Sequence, residues 1–223
     1  MRVVGSGDAE EGRFQGDLPP ALEPVPGEVR LLLLRGRRGV TLGSALTRRP
    51  EVVERIRRVP DLGEVRLSRV GGTVGPEGEN WLGLVGAAGL ADPVPRPLDT
   101  LTQSIRIFLE RRLRPFGVQL DAGKVEGAWC PGFSDLSVEG RKLVGLGYRL
   151  TPKLALIRGV VAVRAPGSEE LEALHRCHLA FGPGIAASVM TALSHLDGLG
   201  SLDQAGAIQL LGGGQDAPAK MAP

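Results

Sequence analysis

The chain has 223 residues, with 33 glycines, 17 prolines and a formal net charge of +2. That length is most simply one domain with a core that needs no staples, the glycine and proline share stays below the level at which composition alone means disorder, and the small charge leaves no strong nucleic-acid footprint. Arginines outnumber lysines 23 to 4, so the clusters Arg35, Arg37, Arg38 and Arg55, Arg57, Arg58 read as solvated faces, with a patch for an acidic partner as the other reading.

Two cysteines, Cys130 and Cys177, make no disulfide framework. The apolar run Leu31 to Leu34 is too short for a signal segment or a membrane span. The expectation is a cytoplasmic protein with reduced thiols, no membrane partner and no nucleic acid.

Residues 1–27, rich in glycine, proline and acids, read as a poorly ordered tail, and 212–223 as another. The domain is expected over 28–211. Val29 to Leu34 predicts a buried strand, being short, apolar and bounded by glycine and charge. Arg48 to Val59 predicts a short helix with Val52, Val53 and Ile56 on one side. Val65 to Leu67 and Asn80 to Val85 read as strands flanking a glycine loop at Gly71, Gly72, Gly75 and Gly78. Pro97 to Phe116 is the clearest helix, because Leu98, Leu101, Ile105, Phe108, Leu109 and Leu113 recur at three- and four-residue steps before Gly117.

Three strand-like runs follow, Asp135 to Glu139, Lys142 to Tyr148 and Leu154 to Val163, the first two joined by a turn at Glu139-Gly140-Arg141. Ser168 is expected to cap a helix whose first turn carries Glu169 and Glu170. A further apolar helix is expected over Ile185 to Leu196 and a short one over Leu202 to Leu211. The fold class is α/β (α+β), a mainly antiparallel sheet sandwiched with helices.

Cys130 precedes Pro131-Gly132, a pair suited to a type II turn, where a thiol is both held and exposed. Taken alone the tripeptide equally describes a small apolar residue before a loop. Lys142 opens a strand; an ammonium near a thiol favours the reactive thiolate and can polarise an acyl carbonyl, although a lysine beside a turn is more often merely exposed. Spacing does not join the two. A strand running straight back from the turn would leave the thiol about 25–30 Å away, at about 3.3 Å per residue. His175, Cys177 and His178 sit at helical spacings that make a poor chelate, so no metal is expected.

The run Cys130-Pro131-Gly132, Asp135-Leu136-Ser137 and Gly140-Arg141-Lys142-Leu143-Val144-Gly145, with Arg69-Val70-Gly71-Gly72 upstream, resembles the biotin/lipoate protein ligase family. It is most similar to the cysteine branch, whose members move an octanoyl group between lipoyl-type domains. The resemblance is specific over 127–149. It implies a ligase-like catalytic domain in which Cys130 is the acyl-carrying nucleophile and Lys142 activates it. It also implies that Arg69, Gly71, Gly72, Asp135 and Gly145 line or orient the acyl site.

The implied reaction moves an octanoyl or lipoyl group onto the lysine of a lipoyl domain through a Cys130 thioester, with no cofactor. The implied donors are octanoyl-H protein or octanoyl acyl carrier protein, and the acceptors are lipoyl domains of 2-oxoacid dehydrogenase E2 subunits. Two alternatives stand beside it: an ATP-dependent lipoate-protein ligase using Lys142, and a non-catalytic member that binds lipoyl domains or fatty acid. The chain departs from the family pattern in having Gly147 and Tyr148 where Ala-Gln is common, and Arg158-Gly159 where many relatives carry His-Gly.

Overall fold

The computed structural model describes residues 2–10, 22–90 and 96–212. Its centre is a seven-stranded sheet in the order β1 (Arg2–Glu10), β2 (Glu28–Arg35), β6 (Trp81–Gly89), β10 (Leu154–Ala162), β9 (Arg141–Leu150), β8 (Leu136–Val138) and β7 (Asp121–Ala122). Within this sheet, among the described residues, β1 and β2 pair in parallel and the other neighbours are antiparallel. A smaller sheet has the order β4 (Glu64–Leu67), β3 (Gly39–Leu42), β5 (Val74–Glu77). The expected mainly antiparallel α/β class is the observed one.

Alternation along the strands divides the interior into separate cores, because successive side chains point to opposite faces. Leu31 and Leu33 of β2, Leu82 and Leu84 of β6, and Ile157 and Val161 of β10 face one side. There they meet α3 (Pro97–Leu113), which buries Leu101, Ile105, Leu109 and Leu113. Each fully buried Leu or Ile contributes about 1.5–3 kcal/mol, so Ile105→Asp would lose that contribution and bury an unpaired carboxylate under this helix. On the opposite side, Trp81, Val160 and Ala162 pack with the small sheet, with Val52, Val53 and Ile56 of α2 (Pro50–Arg57), and with Ala173, Leu174 and Cys177 of α4 (Ser168–Leu179). The short α1 (Ser44–Thr47) follows β3, and α5 (Gln204–Gly212) packs on the α3 side.

Several expectations are corrected. Arg2–Glu10, placed by composition in a tail, forms β1; pairing with β2 supplies what its own sequence lacks. Residues 11–21 and 213–223 of the two expected tails lie outside the described residues. The helix expected over Ile185 to Leu196 is absent: two 3-10 turns, Ala187–Val189 and Leu193–His195, interrupt an extended path. That path is tied to the sheet by a parallel bridge from Met190 to Lys142 and by the Thr191 N–H donating to the Lys142 carbonyl at 2.9 Å. Sheet-edge pairing overrides the apolar helical pattern here. In α4 the N-cap is Gly167, with no side-chain cap bond, and Ser168 is the first helical residue.

The predicted turn between β8 and β9 is present, and its backbone explains it. Glu139 and Gly140 have φ of 51° and 73°, the left-handed values that a tight two-residue hairpin demands at both central positions.

Candidate active site

The loop between β7 and β8 brings Cys130 to the sheet. Its φ of 40° places it in the left-handed region, a conformation that costs a non-glycine residue about 1–3 kcal/mol and needs surrounding support. The expected type II turn is not what reverses the chain, since Gly132 keeps an ordinary φ. Instead the Asp135 N–H donates to the Gly132 carbonyl at 3.1 Å, and the Gly132 N–H donates to Asp135 Oδ2 at 2.9 Å. The carboxylate thus folds the loop back under Cys130.

Lys142 supplies the other support. Its side chain is fully buried, and Nζ donates to the Trp129 carbonyl at 2.6 Å and to the Cys130 carbonyl at 3.0 Å. It also forms an ion pair with Asp135 Oδ1 at 2.8 Å and lies 4.7 Å from the centroid of the Trp129 ring. Burial pulls Lys142 below the ordinary lysine range, opposed by the charges of Asp135 and Cys130. Burial likewise pushes Asp135 up, opposed by Lys142. The ammonium therefore grips the backbone of the cysteine loop; its hydrogen bonds go to carbonyl oxygens and not to the sulfur.

The sulfur points the other way, into a cleft. Cys130 is half-buried, and Sγ accepts hydrogen bonds from the Thr73 N–H at 3.2 Å and the Thr73 hydroxyl at 2.7 Å. The cleft holds about 420 Å³ of empty space, part of it open to solvent, and Cys130, Lys142, Trp129, Val70, Leu146 and Val160 are among the residues of its wall. Aliphatic and aromatic surface around a thiol suits a hydrocarbon chain, whose burial contributes about 0.8 kcal/mol per CH₂.

Glycines let the walls close. A Cβ on Gly147 of β9 would sit 2.5 Å from the Gly71 Cα, so the glycine loop rests directly on the sheet. A Cβ on Gly145 would come within 3.2 Å of Lys142 Nζ and 3.4 Å of Trp129 Nε1. One stretch of the wall is charged. Arg158 Nη2 donates to Thr41 Oγ1 and Glu77 Oε1, each at 2.8 Å. Glu77, itself buried, also takes Arg66 Nε at 2.8 Å and a hydrogen bond from Thr41 Oγ1.

The structure therefore assembles Cys130, Lys142, Gly71, Gly72 and Gly145 around one cleft. Asp135 is buried behind it and acts on Lys142 and the loop. Arg69 is exposed and is not among the cleft residues; the strand before it ends facing solvent, which carries its side chain outward. Thr73, Trp129, Thr41 and Glu77 were not singled out in the sequence. Thr73 follows the glycine pair and Trp129 precedes the cysteine, so adjacency to the motifs was the available signal. Among the described residues no group of three or more His, Cys, Asp or Glu side chains could hold a metal ion, and no helix is long and apolar enough to cross a membrane.

No family model matches the chain. In sequence it is similar to two curated proteins, each named octanoyl-[GcvH]:protein N-octanoyltransferase. The one from Bacillus velezensis is 29% identical over 87 residues, 39% of this chain and 29% of that protein. The one from Geobacillus kaustophilus is 26% identical over 106 residues, 43% of this chain and 37% of that protein. The chain thus spans about a third of the length of these relatives. In structure it is similar to lipoate-protein ligase A bound with ATP, with a TM-score of 0.63 at 12% identity, covering 94% of this chain and 81% of that one. A candidate lipoate protein ligase from T. acidophilum with bound lipoic acid superposes with a TM-score of 0.55 at 13% identity, covering 76% of this chain and 65% of that one.

The fold is similar to that of lipoate-protein ligase catalytic domains, and the sequence is similar to the two octanoyltransferases over about two fifths of the chain.

Proposed function

We propose that this chain is an acyltransferase that moves an octanoyl or lipoyl group onto the lysine of a lipoyl domain through a thioester on Cys130. The observation that carries this reading is a half-buried sulfur held between two hydrogen-bond donors, opening into a largely apolar cleft. The likeness to octanoyltransferases supports an octanoyl group and a protein acceptor.

In the first half-reaction the Cys130 thiolate adds to the donor carbonyl. The S–C bond forms, the bond from that carbon to the donor breaks, and the departing group leaves protonated, drawing its proton from solvent. In the second, the uncharged amine of the acceptor lysine attacks the thioester, the C–N bond forms, and the sulfur leaves with the electron pair while the new amide sheds a proton to solvent. Lys142 and Asp135 keep the left-handed cysteine in place from beneath its loop. Acyl energy arrives with the donor, so the route needs no nucleotide.

The relatives' names point to octanoylated GcvH as donor. An amide is a poorer acyl source than a thioester, so that donor populates the acyl-enzyme sparsely, whereas an acyl carrier protein thioester is nearly matched to Cys130. The acceptors implied by the motif resemblance are the lipoyl domains of 2-oxoacid dehydrogenase E2 subunits. A second reading, ATP-dependent lipoate ligation using Lys142, draws on the structural likeness to an ATP-bound lipoate-protein ligase.

Intact-mass measurement after incubation with each octanoyl donor separates the readings. A hydroxylamine-labile adduct of octanoyl mass, lost in Cys130→Ala, is expected. ATP-dependent modification of a lipoyl domain that survives Cys130→Ala would replace the first reading with the second.

A further inference from the structure

We infer that Thr73 is a catalytic residue that holds Cys130 as the thiolate, a role that neither the motifs nor the lysine fills. This rests on the acyl-enzyme reading above and assigns it a residue of this chain.

Lys142 is close enough to sense Cys130, but its donors are committed elsewhere. An ammonium has three N–H groups. Two go to the Trp129 and Cys130 carbonyls, and the third side of the ammonium faces Asp135 Oδ1. With its side chain fully buried, it cannot swing to the sulfur without leaving both a carboxylate and two carbonyls unpaired.

Thr73 is placed differently. Its backbone N–H and its hydroxyl both reach Sγ, at 3.2 and 2.7 Å. An amide N–H can only donate, and the hydroxyl stands as a donor to Sγ as well. Two donors on one small atom match a sulfur that carries the electron pair, and hydrogen bonds to a charged acceptor are roughly twice as strong as neutral ones. The local backbone fixes both donors. The Gly43 N–H donates to the Thr73 carbonyl at 2.7 Å, and Thr73 immediately precedes β5 in the small sheet. Gly72 leaves the approach open, since a Cβ there would lie 3.1 Å from the sulfur.

Ionisation breaks the S–H bond, the proton passes to bulk water, and the pair stays on sulfur facing the two donors. The hydroxyl keeps its own proton throughout. When the sulfur attacks an acyl carbonyl, both bonds are released as the pair becomes the S–C bond.

The test is alkylation of the full chain by iodoacetamide, read on the Cys130 peptide from about pH 6 to about pH 10. It uses no acyl donor, so it reports on Thr73 even if the chain proves to be a ligase. Thr73→Val keeps the shape and the N–H but removes the hydroxyl. It is expected to slow alkylation about fivefold to tenfold near neutral pH, the loss of one hydrogen bond to a charged sulfur partly offset by the higher nucleophilicity of the more basic thiolate, and to reach or exceed the unsubstituted rate at the alkaline end. Thr73→Ser, which retains the hydroxyl, is expected to stay within about twofold throughout. A Thr73→Val profile that matches the unsubstituted protein at every pH overturns the assignment. So does a drop of equal size at all pH values, which would mean altered access. If Thr73→Val does not fold, Thr73→Ala and Thr73→Ser are compared in the same way, and equal profiles overturn it.

Discussion

Lys142 Nζ and Asp135 Oδ1 lie 2.8 Å apart with side chains 0% and 1% exposed, a sealed ion pair directly beneath the half-buried cysteine. Such a pair is worth little against apolar replacements, yet removing one partner strands the other in the interior. Asp135→Asn and Lys142→Met are each expected to cost about 3–5 kcal/mol in urea unfolding. The double variant should cost less than the sum of the two by at least about 1 kcal/mol. Strict additivity would mean that the two groups do not depend on each other.

Gly147→Ala tests the seat of the glycine loop. With the new Cβ meeting Gly71 Cα at 2.5 Å, backbone must move, at a cost of about 1–3 kcal/mol. The urea midpoint should fall, and Cys130 should become more accessible to alkylation as the loop lifts. A fully retained midpoint would show that the loop does not rest on β9.

Glu77 serves Arg66, Arg158 and Thr41 from a position 3% exposed. Glu77→Gln keeps the shape and one acceptor but removes the charge that both guanidinium groups face. Thermal and urea unfolding should show a loss of about 2–3 kcal/mol, below the full cost for a buried pair because both arginines retain some solvent. A loss under about 0.5 kcal/mol, the size of a surface substitution, would contradict the described network.

His178 on α4 gives the protein an acid-side weakness. It is buried, and its Nε2 has no hydrogen-bond partner among the described residues. Burial, then the positive charges of Lys142 and His175, lower it from 6.5 to about 4. The unfolded chain takes up this proton near pH 6.5 and the folded one only near pH 4. The stabilisation is thus complete above pH 6.5 and is lost as pH falls through 4. The difference amounts to about 3 kcal/mol. Unfolding free energies at pH 7 and pH 4 should differ less in His178→Leu than in the unsubstituted protein by about that amount. Parallel pH curves would rule this contribution out.

Much of the scaffold was legible because its signals are local. The apolar runs of β2, β6 and β10, the three- and four-residue steps of α3, and the glycine of the β8–β9 turn each report the geometry of their own segment. The same holds for Cys130 and Lys142 as chemistry-bearing residues, since their motif is contiguous. Arg2–Glu10 and Ile185 to Leu196 misled the same reasoning: the first is a strand through pairing with β2, and the second stays extended because it bonds along β9 at Lys142.

Contiguous residues already carry a thiol, an acid, a lysine and a set of glycines in a family-like order on a mainly antiparallel α/β frame. What each of them touches follows from the packing of distant segments. Thr73 meets Cys130 across 57 positions and Glu77 meets Arg158 across 81, contacts set by how the small sheet lies on the large one. Periodicity tells which way a side chain points from its own strand, but its partner depends on which other segment is packed there, and that is fixed by the burial of the whole core.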